Sequence, residues 1–210
     1  MQSKTEICNG ALMRAGHTER VANIDSEKSR AAEDCRDLWN VTVAAVLEGL
    51  NPSFARRHAK LAMLSGEDSF EYEYVFAYPS DCLMPHKVVT ADYMRSKKAD
   101  LSADIDFIKG QSKDGKTKTI LTNIQEPYLI YTTGKVETHM FDSTFCIALS
   151  LLLGSNLALS LKKNPKLAQS LNSAYLQMIS KSDSNDANAQ SSDINYTHNF
   201  SVAAINARLS

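Results

Sequence analysis

The chain has 210 residues, with 23 Lys+Arg against 24 Asp+Glu and 43% hydrophobic residues, a length that suits one domain with a single sizeable core, alone or with appendages. The near-neutral balance excludes a polybasic nucleic-acid arm or a strongly acidic tail as the organising feature. With only 8 Gly and 5 Pro, the composition is that of a globular chain, not of a collagenous, coiled-coil or wholly disordered one.

The N-terminus turns polar at once and lacks the apolar stretch of a secretory signal. The sequons at Asn40, Asn195 and Asn199 therefore carry no weight. Ser3-x-x-Glu6 has capping-box form, and Ile7, Ala11, Leu12 and Ala15 follow at helical spacing before Gly16, which predicts a helix over 3–16. The clearest helix spans 27–48. Its stripe of Ala31, Cys35, Leu38, Thr42 and Ala45 steps by four and three, and Gly49 with Pro52 should close it. At 1.5 Å per residue it is on the order of 33 Å long.

From Phe70 the pattern changes. Phe70-Glu-Tyr72-Glu-Tyr74 alternates aromatic and acid, and Val75–Tyr78 runs apolar to Pro79, so a strand is expected. Val88-Val89 and the segments 105–109, 118–122 and 128–132 continue the theme between Gly, Asp and Pro. The middle of the chain, 70–135, reads as a small antiparallel sheet of about four to six strands.

Helix then returns. Asp142 can cap a helix over 143–161, and Asn164-Pro165 is a cap with proline at the first helical position, opening a helix over 165–181. The stretch 143–161 has no charge, yet Ser143, Thr144, Ser150, Gly154, Ser155, Asn156 and Ser160 make it too polar for a membrane span. It reads as a soluble helix buried on most sides. Beyond Ser180 the chain is rich in Ser, Asn and Asp, and an extended tail is expected over 189–210. The predicted fold is α+β: a bundle of about four helices with an inserted small sheet, forming one domain over 1–188, and the tail.

Few residues suggest chemistry. Cys8, Cys35, Cys82 and Cys146 are too scattered for a metal site or disulfide framework and read as buried reduced thiols. The dispersed histidines lack metal-ligand spacing. Gly110–Thr117 matches GxxxxGK[ST], the phosphate-cradling loop. That chemistry needs a helix after the loop, whereas 118–124 is β-patterned and Asp114-Gly115 reads as a hairpin turn. Arg56-Arg57-His58-Ala59-Lys60 and Arg95-Ser96-Lys97-Lys98 are basic clusters, each either a solvated face or a contact for DNA phosphates or an acidic partner. No cofactor and no enzyme is implied.

The order of segments resembles the tail tubular protein A family of short-tailed bacteriophages. The residues that carry it are the long helix through Trp39 into Pro52-Ser-Phe54-Ala55-Arg56-Arg57, and the aromatic strand running into Pro79-Ser-Asp81-Cys82-Leu83. Tyr131 and the junction Phe141-Asp142-Ser143-Thr144-Phe145 complete it. The resemblance covers about 1–188.

It implies a structural virion protein, the adaptor ring that joins the portal to the tail nozzle and forms part of the DNA ejection channel. It implies a homo-oligomeric ring of about twelve copies, and partners in the portal protein, the nozzle protein and genomic DNA passing without sequence-specific binding. No catalytic residue and no membrane are implied. The location is the portal–tail junction, after synthesis in the host cytoplasm. The tail, with Ile194, Tyr196, Phe200, Val202, Ile205 and Leu209, is the expected portal anchor, ordering on its partner. Arg56, Arg57, Lys60, Lys97 and Lys98 are the candidate DNA or partner contacts. Alternatives are a non-virion assembly or DNA-packaging factor, and a nucleotide-binding protein resting on Gly110–Thr117 alone.

Overall fold

The expected capping box opens the first helix. Glu6 N–H donates to Ser3 Oγ (3.2 Å) and Ser3 N–H donates to the Glu6 carboxylate (2.7 Å), starting α1, Lys4–Arg14. In this computed structural model, which describes residues 2–96 and 105–181, the second helix, α2, is Arg30–Leu50. It begins later than the expected 27 because Ser29 is its cap, accepting from Ala32 N–H (3.3 Å). Glu27 stays in the preceding loop, where its carboxylate accepts from Ala22 N–H (2.8 Å) and Ser29 Oγ (2.7 Å).

The buried face of α2 also differs from the expected stripe. Of that stripe Ala31, Cys35 and Thr42 are buried, joined by Ala32, Trp39, Val43, Val46, Leu47 and Leu50, whereas Leu38 and Ala45 are only half-buried. Gly49 does not end the helix. Asn51, at φ +44°, takes the left-handed position, with Pro52 behind it. Gly49 is instead a point of close approach, where a Cβ would lie 2.7 Å from Ile179 Cδ1 and 2.9 Å from Tyr175 Oη.

The β region starts earlier than the expected 70 and has more strands. After a short 3-10 turn at Ser53–Ala55 come β1 (Arg56–Lys60), β2 (Ala62–Met63), β3 (Tyr74–Ala77) and β4 (Cys82–Val89). A short helix, α3 (Ala91–Ser96), is followed by β5 (Ile108–Gln111), β6 (Lys118–Thr122) and β7 (Tyr128–Thr133). Phe70–Glu73 is not strand. Ser69 Oγ accepts from the N–H groups of Glu71 (3.2 Å) and Tyr72 (3.3 Å), a local turn that takes the donors a ladder would need.

All pairing is antiparallel, in the orders β1-β7-β4 and β2-β3-β6-β5. The two sheets join at both margins. Leu61 alone separates β1 from β2, and a bridge pairs Val88 with Ile105. The two sheets share a core of Leu61, Phe76, Val88, Ile120, Leu129 and Tyr131.

The last helices are α4, Ser143–Ser160, and α5, 165–181. Both caps act as expected: Phe145 N–H donates to Asp142 Oδ1 (2.7 Å) and Leu167 N–H to Asn164 Oδ1 (3.1 Å). α4 is long and apolar enough to cross a membrane, but 61% of it is buried inside the protein. It packs on α1 and α2, with Arg14 Nε donating to Ser150 Oγ (3.1 Å) and Ser155 Oγ to Ala168 O (2.8 Å). At Gly154 a Cβ would stand 3.0 Å from the Ala11 carbonyl oxygen, so glycine is what lets α4 approach α1. The chain divides into two compact units, 1–50 with 142–210, and 51–141. The fold is thus mixed α+β, with five helices and two small antiparallel sheets among the described residues.

Candidate functional site

The corner between β3 and β4 holds the densest polar cluster of the β unit. β3 ends at Ala77, and beyond it Cys82 N–H donates back to the Pro79 carbonyl (2.9 Å), a turn that carries Asp81. Its carboxylate accepts from Tyr131 Oη (2.9 Å) and Thr133 Oγ1 (2.8 Å) on β7, and from Arg57 Nη1 (2.9 Å) on β1. Its carbonyl accepts from Gly134 N–H (2.9 Å). The Asp81 side chain is only 14% exposed, that of Arg57 54%.

Burial works against the charge of Asp81, but the hydrogen bonds from Thr133 and Tyr131, with the Arg57 guanidinium, hold its carboxyl below the usual range. The same burial, reinforced by the Asp81 carboxylate, pushes the Tyr131 phenol up to about 12. This cluster fastens β1, the corner and β7 together. Both oxygens of the Asp81 carboxylate are bonded within it, Oδ1 by Tyr131 and Oδ2 by Thr133 and Arg57.

A second chain of hydrogen bonds uses other residues of the same sheet. Thr132 Oγ1 donates to Asn51 Oδ1 (2.9 Å) and lies 2.7 Å from His86 Nε2. Burial, followed by the charges of Arg56 and Lys109, lowers the proton affinity of His86.

The basic cluster 56–60 is β1 itself, an exposed strand at the margin of its sheet. Arg56 is exposed at its start, Arg57 is engaged by Asp81, and Lys60 pairs with Glu126 (2.9 Å) across a solvated rim. Lysine and arginine on a strand edge also blunt unwanted strand pairing. Lys97 and Lys98, and the tail residues Ile194, Tyr196, Phe200, Val202, Ile205 and Leu209, lie outside the described residues.

The Gly110–Thr117 segment joins β5 to β6 as a hairpin, with Gly115 at φ +71°. Several of its backbone donors are already used. Gly115 N–H bonds Ser112 O (2.8 Å), Lys116 N–H Asp114 Oδ1 (3.1 Å), Thr117 N–H Ser112 Oγ (3.0 Å), and Lys113 N–H the Glu67 carboxylate (3.1 Å). A phosphate cradle needs those groups free and a helix behind them, and a carboxylate, Asp114, sits inside this turn bonded to Ser112. The match to the phosphate-binding pattern is carried by a hairpin turn with a strand, β6, behind it where the phosphate cradle has a helix.

Two surface hollows lie on the helical unit, one of about 550 Å³ along α5 beside Lys166, Ser173 and Gln177, and one of about 340 Å³ beside Glu6, Asn9, Met13 and His17. Among the described residues no three His, Cys, Asp or Glu side chains gather as metal ligands would. No protein-family model matches the chain, and neither does any curated protein.

Proposed function

We propose that the chain is a structural virion protein of a short-tailed bacteriophage, the subunit of an adaptor ring between the portal and the tail nozzle. One observation carries the reading. The residues on which the family resemblance rests are far apart in sequence, yet they touch. Arg57 of the Phe-Ala-Arg-Arg turn, Asp81 of the Pro-Ser-Asp-Cys-Leu corner and Tyr131 form one hydrogen-bonded cluster. Phe54 of that turn and Phe141 of the strand-to-helix junction stack at 6.0 Å between ring centroids. A chance string of loose motifs has no reason to converge in this way.

In this reading α1, α2, α4 and α5 make a four-helix bundle, and residues 189–210 form an extended tail that anchors the subunit on the portal through Ile194, Tyr196, Phe200, Val202, Ile205 and Leu209. The β region serves the next tail component. Lys97 and Lys98 would serve DNA phosphates in the channel or an acidic partner, without base-specific contact. No residue acts as a catalyst. The test is to purify virions, quantify the protein by mass spectrometry and locate it by gold labelling. A stoichiometric component at the head–tail junction is expected; absence from mature particles would make it an assembly factor instead.

A further inference from the structure

The loop between β2 and β3 presents a side chain that a lone subunit has no use for. Phe70 is fully exposed, at 111% of its reference accessibility, beside exposed Glu71 and Glu73. The loop that carries it is tied down on both limbs. Lys113 Nζ donates to Gly66 O (3.1 Å) and Asp68 Oδ2 (3.0 Å). Ser69 organises the turn, and Glu73 N–H donates to Asn123 Oδ1 (3.0 Å). An aromatic held in water by a pre-ordered acidic loop has the form of an interface anchor, because little freedom is lost when it docks.

A complementary surface lies on the same unit. Arg56, His58 and Lys60 point to one face of β1, opposite Thr132, Ile130 and Tyr128 in the ladder. Arg56 and His58 are exposed, Lys60 is exposed but paired with Glu126, and Ile130 and Tyr128 are half-exposed. This is a basic strip with an apolar centre. Arg57, on the other face, is committed to Asp81. The acidic loop and the basic strip are different patches of one chain, so their pairing is head-to-tail, the arrangement that builds rings or filaments.

We propose that Phe70, Glu71 and Glu73 of one copy dock on β1 of the next copy, the ring over Ile130 and Tyr128 and the carboxylates against Arg56 and His58. The inference rests on the ring reading above and gives it a subunit contact.

The test uses full-length chains and reversed charges. One variant carries Glu71→Lys with Glu73→Lys, the other Arg56→Glu with His58→Glu, all at exposed positions; circular dichroism checks folding. Sedimentation velocity over a concentration series should find wild-type self-association that weakens with salt. Each variant alone should be monomeric, and their mixture should regain association, because each loop then meets a strip of opposite charge. Phe70→Ala should weaken self-association roughly thirtyfold.

A wild-type chain that stays monomeric at its highest soluble concentration overturns the proposal. So do reversed variants that associate normally, or a mixture that does not recover. Loop variants that lose portal binding with self-association intact would assign the loop to another partner and overturn it too. If portal rings recruit the chain while the swaps change nothing, this contact fails and the ring reading stands. If the swaps behave as expected and the chain ignores portal rings, the contact stands and the ring reading fails.

Discussion

Tyr131 Oη donates a hydrogen bond to Asp81 at 2.9 Å, and each residue contributes to the shift in the other's titration. The bond keeps Asp81 charged and Tyr131 neutral, so their effects on stability appear at opposite ends of the pH scale.

The Asp81 carboxyl is depressed relative to its ordinary value of 3.8. Its contribution is therefore complete above that value and is lost as pH falls through the lower, folded one. The Tyr131 phenol is raised from 10.0 to about 12, so its contribution is complete below pH 10 and is lost between about 10 and 12. Asp81→Ala should cost about 2–3 kcal/mol at neutral pH, the loss of charged hydrogen bonds, with little added by half-exposed Arg57. Tyr131→Phe should flatten the alkaline limb. Urea denaturation at several pH values checks both; a variant as stable as wild type at pH 7 but not at pH 3 would contradict the assignment.

Gly154→Ala and Gly49→Ala separate close packing from helix propensity. Alanine favours a helix over glycine by about 1 kcal/mol. At Gly154 the added Cβ meets backbone, the Ala11 carbonyl at 3.0 Å, so a net loss of about 1–3 kcal/mol is expected. At Gly49 the obstacles are the ends of the Ile179 and Tyr175 side chains, which can turn aside, and the change should be smaller. Thermal melts of the two variants decide it, and the reverse order would contradict the packing described.

Trp39 is 8% exposed, with Lys4 Nζ 5.6 Å from its ring centroid. Trp39→Ala should cost about 3–5 kcal/mol by leaving a cavity. Reversible denaturation followed by circular dichroism measures it, and a loss below about 1 kcal/mol would show that the ring packs on little.

For the hairpin, Lys116→Ala should change neither stability nor nucleotide binding. Isothermal titration with ATP and GTP should show no heat of specific binding for either protein. Micromolar affinity lost in the variant would restore the phosphate-loop reading.

What could be read in the sequence was local. Ser3 with Glu6, Asp142, and Asn164-Pro165 all announce helix starts because a cap is a contact within three residues. β1 could not be read, since Arg-Arg-His-Ala-Lys has no apolar alternation and becomes a strand only by pairing with β7. The Phe70–Tyr74 alternation misled because Ser69 captured the backbone donors first. The Asp81 cluster was invisible as a cluster: its partners stand 24, 50 and 52 residues away. Only the motif order hinted that those segments belong together.

The adaptor reading meets its most direct test in a mixture with portal rings. Full-length protein and a chain ending at residue 188 should each be incubated with purified portal rings and examined by electron microscopy and sedimentation. The account predicts a second ring stacked on the portal with the full-length chain. The truncated chain should bind only weakly, because a ring of tails acts through multivalency. Docking as stable without residues 189–210 would move the anchor to the helices, and no docking by the full-length chain would contradict the adaptor role itself.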